Sequence, residues 1–157
     1  MASTTHILLA LASAAALTGT TALAQPGPQG GRKFSTALTG AAECNASGTC
    51  NLGDPDGTGT AEITVNVGQQ RVCWDITTQN LGTITRGHIH RAPAGVAGSI
   101  VVPFFEANAV DLSGCTPTTQ PVDRALLRDI LQHPQNYYVN VHTADFAAGA
   151  IRGQLSK

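Results

Sequence analysis

Three of the five histidines lie in two short stretches that have the residue pattern of β-strands. His88 and His90 are separated by one apolar residue, and His142 lies in a later run, Tyr-Tyr-Val-Asn-Val-His-Thr. Because side chains alternate between the two faces of an extended strand, His88 and His90 share one face. The same alternation puts Tyr138, Asn140 and His142 on one face of the later strand.

Two histidines at positions i and i+2 of a strand can bind one metal ion from the same side, and imidazole is a common ligand of copper, zinc and iron. His142 supplies a third nitrogen if the two strands are neighbours, with Glu43, Tyr138 and Asn140 surrounding the ligands. One interpretation is therefore a three-histidine site for copper, zinc or iron. The His-x-His pair also resembles copper ligands of Cu/Zn superoxide dismutases, so superoxide chemistry is the enzymatic alternative retained.

The other interpretation is that His88, His90 and His142 are structural. Polar strand residues usually hydrogen-bond backbone groups or neighbours, and here they would order the turn at 92–98. The sequence also lacks a Gly-x-Ser-x-Gly nucleophile motif, paired carboxylates and a phosphate-binding glycine loop. We therefore expect a binding or structural role without catalysis, and metal binding is the alternative.

The first 24 residues contain no Lys, Arg, Asp or Glu and include an apolar run that ends in Ala-Leu-Ala. This pattern predicts a secretory signal peptide at 1–24, a flexible leader at 25–33 and one domain at 34–157. The mature protein is expected to be secreted or periplasmic. No second apolar span follows, so we expect no membrane span after cleavage.

The charge is nearly balanced, with nine Lys and Arg against ten Asp and Glu and no basic cluster. This balance argues against nucleic acid as a partner. The expected partner is an unknown extracytoplasmic protein or surface ligand.

Four cysteines in an exported chain indicate two disulfides, for which three pairings are possible. We favour Cys44–Cys50, which closes a short turn-rich loop, and Cys73–Cys115, which ties the middle of a strand to a later loop.

The fold is predicted to be all-β. Ala61, Ile63, Val65 and Val67 alternate with polar residues, which is typical of a strand with one face in the core. One helix is predicted over 121–132 from an initial Pro and a Leu/Ile stripe at helical spacing. The short extended segments and Gly-rich turns indicate an antiparallel Ig-like or superoxide-dismutase-like β sandwich or barrel of about seven to eight strands.

Four motifs are distinctive when taken together: Leu-Thr-Gly-Ala-Ala-Glu at 38–43, Gly-His-Ile-His-Arg-Ala-Pro-Ala-Gly at 87–95, the run at 137–143, and Gly-Ala-Ile-Arg-Gly-Gln-Leu at 149–155. This combination resembles the CHRD domain, a family named after chordin, from about Phe34 to Leu155. Ala150 departs from the pattern, since many members have Glu there. The resemblance implies a β domain outside the cytoplasm, because chordin is extracellular and bacterial members look like small exported proteins. It implies no established enzymatic activity.

Overall fold

The computed structural model describes Met1 and residues 30–106 and 111–157. Apart from Met1, the predicted signal peptide lies outside the described residues, as do the first five residues of the predicted leader. The described ranges contain one α-helix, α1 (Arg124–Gln132), and eight strands. The strands are β1 (Arg32–Thr39), β2 (Thr58–Asn66), β3 (Arg71–Gln79), β4 (Ile84–Arg91), β5 (Ser99–Glu106), β6 (Ser113–Cys115), β7 (Tyr137–Thr143) and β8 (Ile151–Gln154).

The eight strands form one sheet in the order β5-β4-β7-β8-β1-β2-β3-β6, and every neighbouring pair is antiparallel. The sheet curls into a nearly closed barrel. Trp74 of β3 stacks on Phe104 of β5 with ring centroids 4.6 Å apart, which brings the two ends of the sheet together. The antiparallel all-β fold with one helix is therefore confirmed, in its barrel form.

The barrel core contains the alternating apolar residues that the sequence indicated. Ala61, Ile63 and Val65 of β2 are fully or almost fully buried, as is Ile89 of β4. Burying each large aliphatic side chain contributes about 1.5–3 kcal/mol, so these inward faces fix the register of the strands.

The predicted helix over 121–132 begins later than expected, since α1 spans Arg124–Gln132. The Asp123 side chain accepts a hydrogen bond from the Leu126 backbone N–H at 2.9 Å, so Asp123 is the N-cap residue. Val122 donates its backbone N–H to the turn between β2 and β3 at 2.8 Å, which holds it outside the helix. No helix in the described ranges is long and apolar enough to cross a membrane.

Strand β1 begins at Arg32, two residues before the predicted domain start at 34. Arg32 pairs with Val65 and Lys33 pairs with Thr64, so the end of the predicted flexible leader 25–33 belongs to the sheet. The reason is that β2 extends far enough to offer these two residues backbone partners.

Both favoured disulfides are present, Cys44–Cys50 and Cys73–Cys115. The second one joins β3 to β6, a strand in a segment that the sequence indicated to be a loop. Ser113–Cys115 is only three residues long and carries no alternating pattern, so nothing in its sequence predicts a strand. Two disulfides indicate an oxidising environment.

Candidate metal centre

The two histidine-bearing strands, β4 and β7, are paired neighbours, and β8 lies on the other side of β7. On one face, Ile89, Val139 and Val141 belong to the barrel core. The opposite face is polar and yet also buried, so that all seven residues of β7 are buried. We call this second face the polar layer. Its members are His88, His90, Tyr138, Asn140, His142 and Arg152.

The histidines predicted from strand alternation meet in this polar layer. One ring nitrogen from each of His88, His90 and His142 lies within 4.8 Å of the other two. His88 Nδ1 lies 3.2 Å from His142 Nε2. The exposed fractions are only 1%, 9% and 5% for His88, His90 and His142, respectively. The imidazoles therefore face one another with little access to water.

Each ring also contacts an acceptor with its other nitrogen. His90 Nδ1 donates to the Gly98 carbonyl at 2.9 Å, and His142 Nδ1 donates to the Ala147 carbonyl at 3.0 Å. Since a neutral imidazole carries one proton, both rings have a bare Nε2 lone pair. The Nε2 of His90 is buried and has no hydrogen-bond partner. This arrangement is the one that metal-binding histidines adopt, because the second nitrogen fixes the tautomer and the ring orientation.

The neutral His88 ring faces two acceptors and cannot satisfy both. Its Nε2 lies 3.3 Å from Glu106 Oε1, and its Nδ1 faces the bare Nε2 of His142. A proton on Nδ1 leaves the Nε2 lone pair against a carboxylate. A proton on Nε2 leaves two nitrogen lone pairs 3.2 Å apart. A cation between the two nitrogens, either a second proton or a metal ion, removes this conflict.

Burial makes the second proton unfavourable. Desolvation, together with the charge of the nearby Arg86 guanidinium, lowers the pKa of His142 to about 4, although the hydrogen bond to the Ala147 carbonyl raises it in part. Desolvation also lowers the pKa values of His88 and His90, although a hydrogen bond from each ring raises its pKa in part. At neutral pH the three imidazoles are therefore uncharged, which is the protonation state that binds metals.

His90 is held by a stack of side chains that continues across the polar layer. Its ring lies parallel to that of Tyr138, with centroids 4.8 Å apart and an interplanar angle of 8°. The Arg152 guanidinium lies 3.4 Å from the centroid of the same Tyr138 ring. The Tyr138 hydroxyl accepts the backbone N–H of Gly98 at 3.1 Å, while the Gly98 carbonyl accepts from His90. Gly98 thus joins the covering turn to both rings.

Glu43 and Asn140 form a second buried pair next to the histidines. Asn140 Nδ2 donates to Glu43 Oε1, while Asn140 Oδ1 is buried without a hydrogen-bond partner. Desolvation raises the pKa of Glu43 to about 7, although Arg152 and Asn140 lower it in part. Gly149 allows this contact, because a Cβ there would lie 2.7 Å from both Asn140 Nδ2 and Glu43 Oε1. The three predicted neighbours of the ligands, including Tyr138, thus lie in or against the polar layer.

Sequence reasoning did not identify Glu106 or Arg86 as parts of this environment. Glu106 lies at the end of β5, and Arg86 begins the polar face of β4. Neither position differs by pattern from an ordinary exposed strand residue. Arg152 stood in a recognised motif, but nothing in its spacing indicated that its side chain would be 2% exposed.

The fold and the site define a small, disulfide-linked β-barrel domain with a buried three-histidine cluster. Residues 34–155 match the family model of the CHRD domain. The chain belongs to the CHRD family, because this match covers most of its length. No curated protein and no solved structure gave a match in the corresponding comparisons.

Proposed function

We propose that this CHRD domain is exported and binds one transition-metal ion through His88, His90 and His142, without catalysing a reaction. The observation that carries the proposal is the conflict at His88, whose neutral ring faces two acceptors. A metal ion bound to His88 Nδ1 and His142 Nε2 lets His88 Nε2–H donate to Glu106. Copper, zinc and iron all accept imidazole nitrogen as a ligand.

The separation of the ring nitrogens supports this assignment. Two nitrogens bound to one ion at about 2.0–2.1 Å lie roughly 3.3–3.6 Å apart at tetrahedral or trigonal angles. His88 Nδ1 and His142 Nε2 are 3.2 Å apart, close to that spacing. The whole cluster spans up to 4.8 Å, so binding draws the three rings together by about 1 Å.

The alternative, a purely structural role, accounts for the hydrogen bonds to Gly98 and Ala147 but not for the ring nitrogens that face one another. Hydrogen bonds to Gly98 and Ala147 explain one nitrogen each of His90 and His142. They leave the buried His90 Nε2 without a partner. An unsatisfied buried acceptor costs about 1–3 kcal/mol, and a metal ion removes this cost.

Export and the absence of catalysis are parts of the same proposal. Export is supported by the charge-free, apolar N-terminal segment and by two disulfides, which persist outside the cytoplasm. A role in binding without turnover is supported by the low exposure of the three rings, since a catalytic metal keeps a position open to substrate. Superoxide turnover is the enzymatic alternative to be tested on the loaded protein.

The test is the metal content of the protein, exported by its own N-terminal segment and purified without chelator or a nickel column. Mass spectrometry of wild type is expected to give close to one equivalent of copper, zinc or iron. The His88→Ala/His90→Ala variant is expected to contain none. His133→Ala is the matched control, because His133 is half-exposed at the end of α1 and bonds to Asp129 instead.

Circular dichroism of both variants shows whether the barrel persists, and metal titration of metal-free wild type does not depend on any variant. If wild type is purified without metal and does not bind added copper, zinc or iron, the proposed function is wrong. The histidines are then structural. Retention of the predicted signal peptide on the mature chain would contradict export.

A further inference from the structure

We propose that the ion held by His88, His90 and His142 is copper in its monovalent state, Cu(I). This inference rests on the proposed metal site and names its ligand. Two independent features of the polar layer carry it: the number of ligands that the cluster offers, and the charge of the side chains around it.

The first feature is the number of ligands. Within the described residues, the cluster consists of three histidines and includes no Cys, Asp or Glu. Structural zinc sites have four protein ligands, and Cu(II) prefers four or more in a tetragonal arrangement. Cu(I), a closed-shell ion, is stable with three. The three rings are at least nine-tenths buried, which disfavours completion of a larger shell by water.

The second feature is the positive charge next to the cluster. Among the described residues outside the cluster, Arg86, Arg152 and Glu106 carry the charges that act on the three rings. Arg86 donates to the Ala147 carbonyl at 3.1 Å, the same oxygen that accepts from His142, so its charge is fixed at the site. Arg152 is 2% exposed.

The balancing negative charge is weak. The Glu106 side chain is 62% exposed, so water screens its carboxylate. Glu43, the other nearby acid, is buried, and burial raises its pKa to about 7, which makes it partly uncharged at neutral pH. Three neutral imidazoles beside two guanidinium groups therefore favour a single positive charge over a double one. The same repulsion opposes oxidation of bound Cu(I) to Cu(II), because that step removes one electron and adds one positive charge.

The closing experiment compares ions on the metal-free mature protein with its disulfides intact. Cu(I) is titrated anaerobically in ascorbate against a Cu(I) chelator, and Zn(II) is titrated against a zinc chelator. We expect one Cu(I) per chain, with an apparent Kd at least 1,000-fold below that for Zn(II). After exposure to air, the bound copper is expected to remain silent in electron paramagnetic resonance.

Arg86→Gln tests the charge argument, because glutamine can still donate to Ala147 but carries no charge. This change is expected to lower the ratio of Cu(I) affinity to Zn(II) affinity by ten-fold or more. The matched control is Arg91→Gln on the same strand. Arg91 projects to the other face, where it lies 3.5 Å from Asp129, so its loss is expected to leave the preference unchanged.

Tighter binding of Zn(II) than Cu(I), or a stable paramagnetic Cu(II) form in air, would overturn the assignment to Cu(I) while the metal site stands. The assignment to Cu(I) would also be overturned if Arg86→Gln and wild type had the same ratio of Cu(I) affinity to Zn(II) affinity, because the charge argument is then wrong. If wild type binds none of these ions, the proposed function itself is wrong.

Discussion

His88 Nδ1 lies 3.2 Å from His142 Nε2, across two paired strands whose histidines are 54 residues apart in the chain. Because His142 donates its Nδ1 proton to Ala147, the atom that it presents to His88 is a bare acceptor. In the metal-free protein, one nitrogen of the neutral His88 ring therefore faces an acceptor, either His142 or Glu106, with no proton between them. The first prediction concerns the effect of protonating His142 on the free energy of unfolding.

In the metal-free protein, the contribution of His142 to stability is expected to fall as the pH falls from about 6.5 to about 4. Burial lowers the pKa of His142 from 6.5 to about 4, so the unfolded chain binds a proton in this window that the folded chain does not. The free energy of unfolding then falls by about 1.4 kcal/mol per pH unit from this residue alone, and levels off below pH 4. Urea unfolding at pH 7, 6 and 5 with a chelator measures the slope.

His142→Gln provides the comparison, since glutamine does not titrate in this range. Its overall stability is expected to differ from that of wild type, so the slopes against pH are compared rather than the absolute values. As the pH falls from 7 to 5, wild type is expected to lose stability relative to the variant. Equal slopes in wild type and variant would contradict the prediction.

Glu43 is expected to show the opposite dependence on pH. Its pKa rises from 4.5 to about 7 on folding, so its stabilising contribution is complete below pH 4.5 and is lost as the pH rises through 7. Glu43→Gln keeps an oxygen acceptor for Asn140 and removes the titration. Between pH 5 and pH 8, the stability of this variant relative to wild type is expected to improve by about 1–3 kcal/mol. The same comparison on Glu62→Gln, an exposed position on β2, should show no such change.

The two disulfides are expected to differ in their contribution to stability. Cys73 and Cys115 are separated by 42 residues, and Cys44 and Cys50 by six. The loop-closure entropy predicts a loss of about 4 kcal/mol for Cys73→Ser/Cys115→Ser and about 2 kcal/mol for Cys44→Ser/Cys50→Ser. Chemical unfolding of the two double variants measures this difference, and the reverse order would contradict it.

Removal of the Cys73–Cys115 disulfide is also expected to weaken the pairing of β6 with β3. Hydrogen bonds run from the Ile76 N–H to the Leu112 carbonyl and from the Thr116 N–H to the Val72 carbonyl, on either side of β6. Hydrogen exchange at Ile76 and Thr116 should therefore accelerate in Cys73→Ser/Cys115→Ser. Unchanged protection would show that β6 pairs without the covalent link.

Strand alternation predicted that His88 and His90 share one face and that His142 lies on the polar face of its own strand, because β4 and β7 keep a two-residue period there. Only their pairing as neighbours had to come from the structure. Alternation was not sufficient for burial. A polar face normally indicates solvent, whereas here the turns at 92–98 and 144–150 cover it, and Arg152 binds the first of them through Pro93 and Val96.

The start of α1 and the presence of β6 were harder to predict from the sequence. Helix α1 begins after Asp123 because a side-chain hydrogen bond to Leu126 replaces the preceding turn, and Pro121 alone had suggested an earlier start. Ser113–Cys115 has no periodic pattern at all, and Cys73, its partner on β3, is separated from Cys115 by 42 residues. The Asp123 cap is a local signal that indicates the later helix start, whereas the partner of β6 is not indicated by its own residues.

Arg152 is expected to be the residue of the polar layer that tolerates substitution least. Its guanidinium donates to the carbonyls of Val96 at 2.8 Å and Pro93 at 3.0 Å, and to Gln154 Oε1 at 3.1 Å, while its plane lies over Tyr138. Lysine keeps the charge but cannot direct planar donors to all three oxygens. Arg152→Lys is therefore expected to lower the free energy of unfolding by about 2–4 kcal/mol, because three part-buried oxygens lose a charged donor.

The same change is expected to loosen the turn at 92–98. Arg152 holds two carbonyls of that turn, and Gly98 at its end accepts from His90, so the ring loses part of its support. Hydrogen exchange in this turn should accelerate, and metal affinity should fall together with stability. Arg91→Lys is the control, since Arg91 is half-exposed and its ion pair with Asp129 contributes less than about 1 kcal/mol. Equal losses in the two variants would show that the burial of Arg152 has no special role in holding the turn over the histidines.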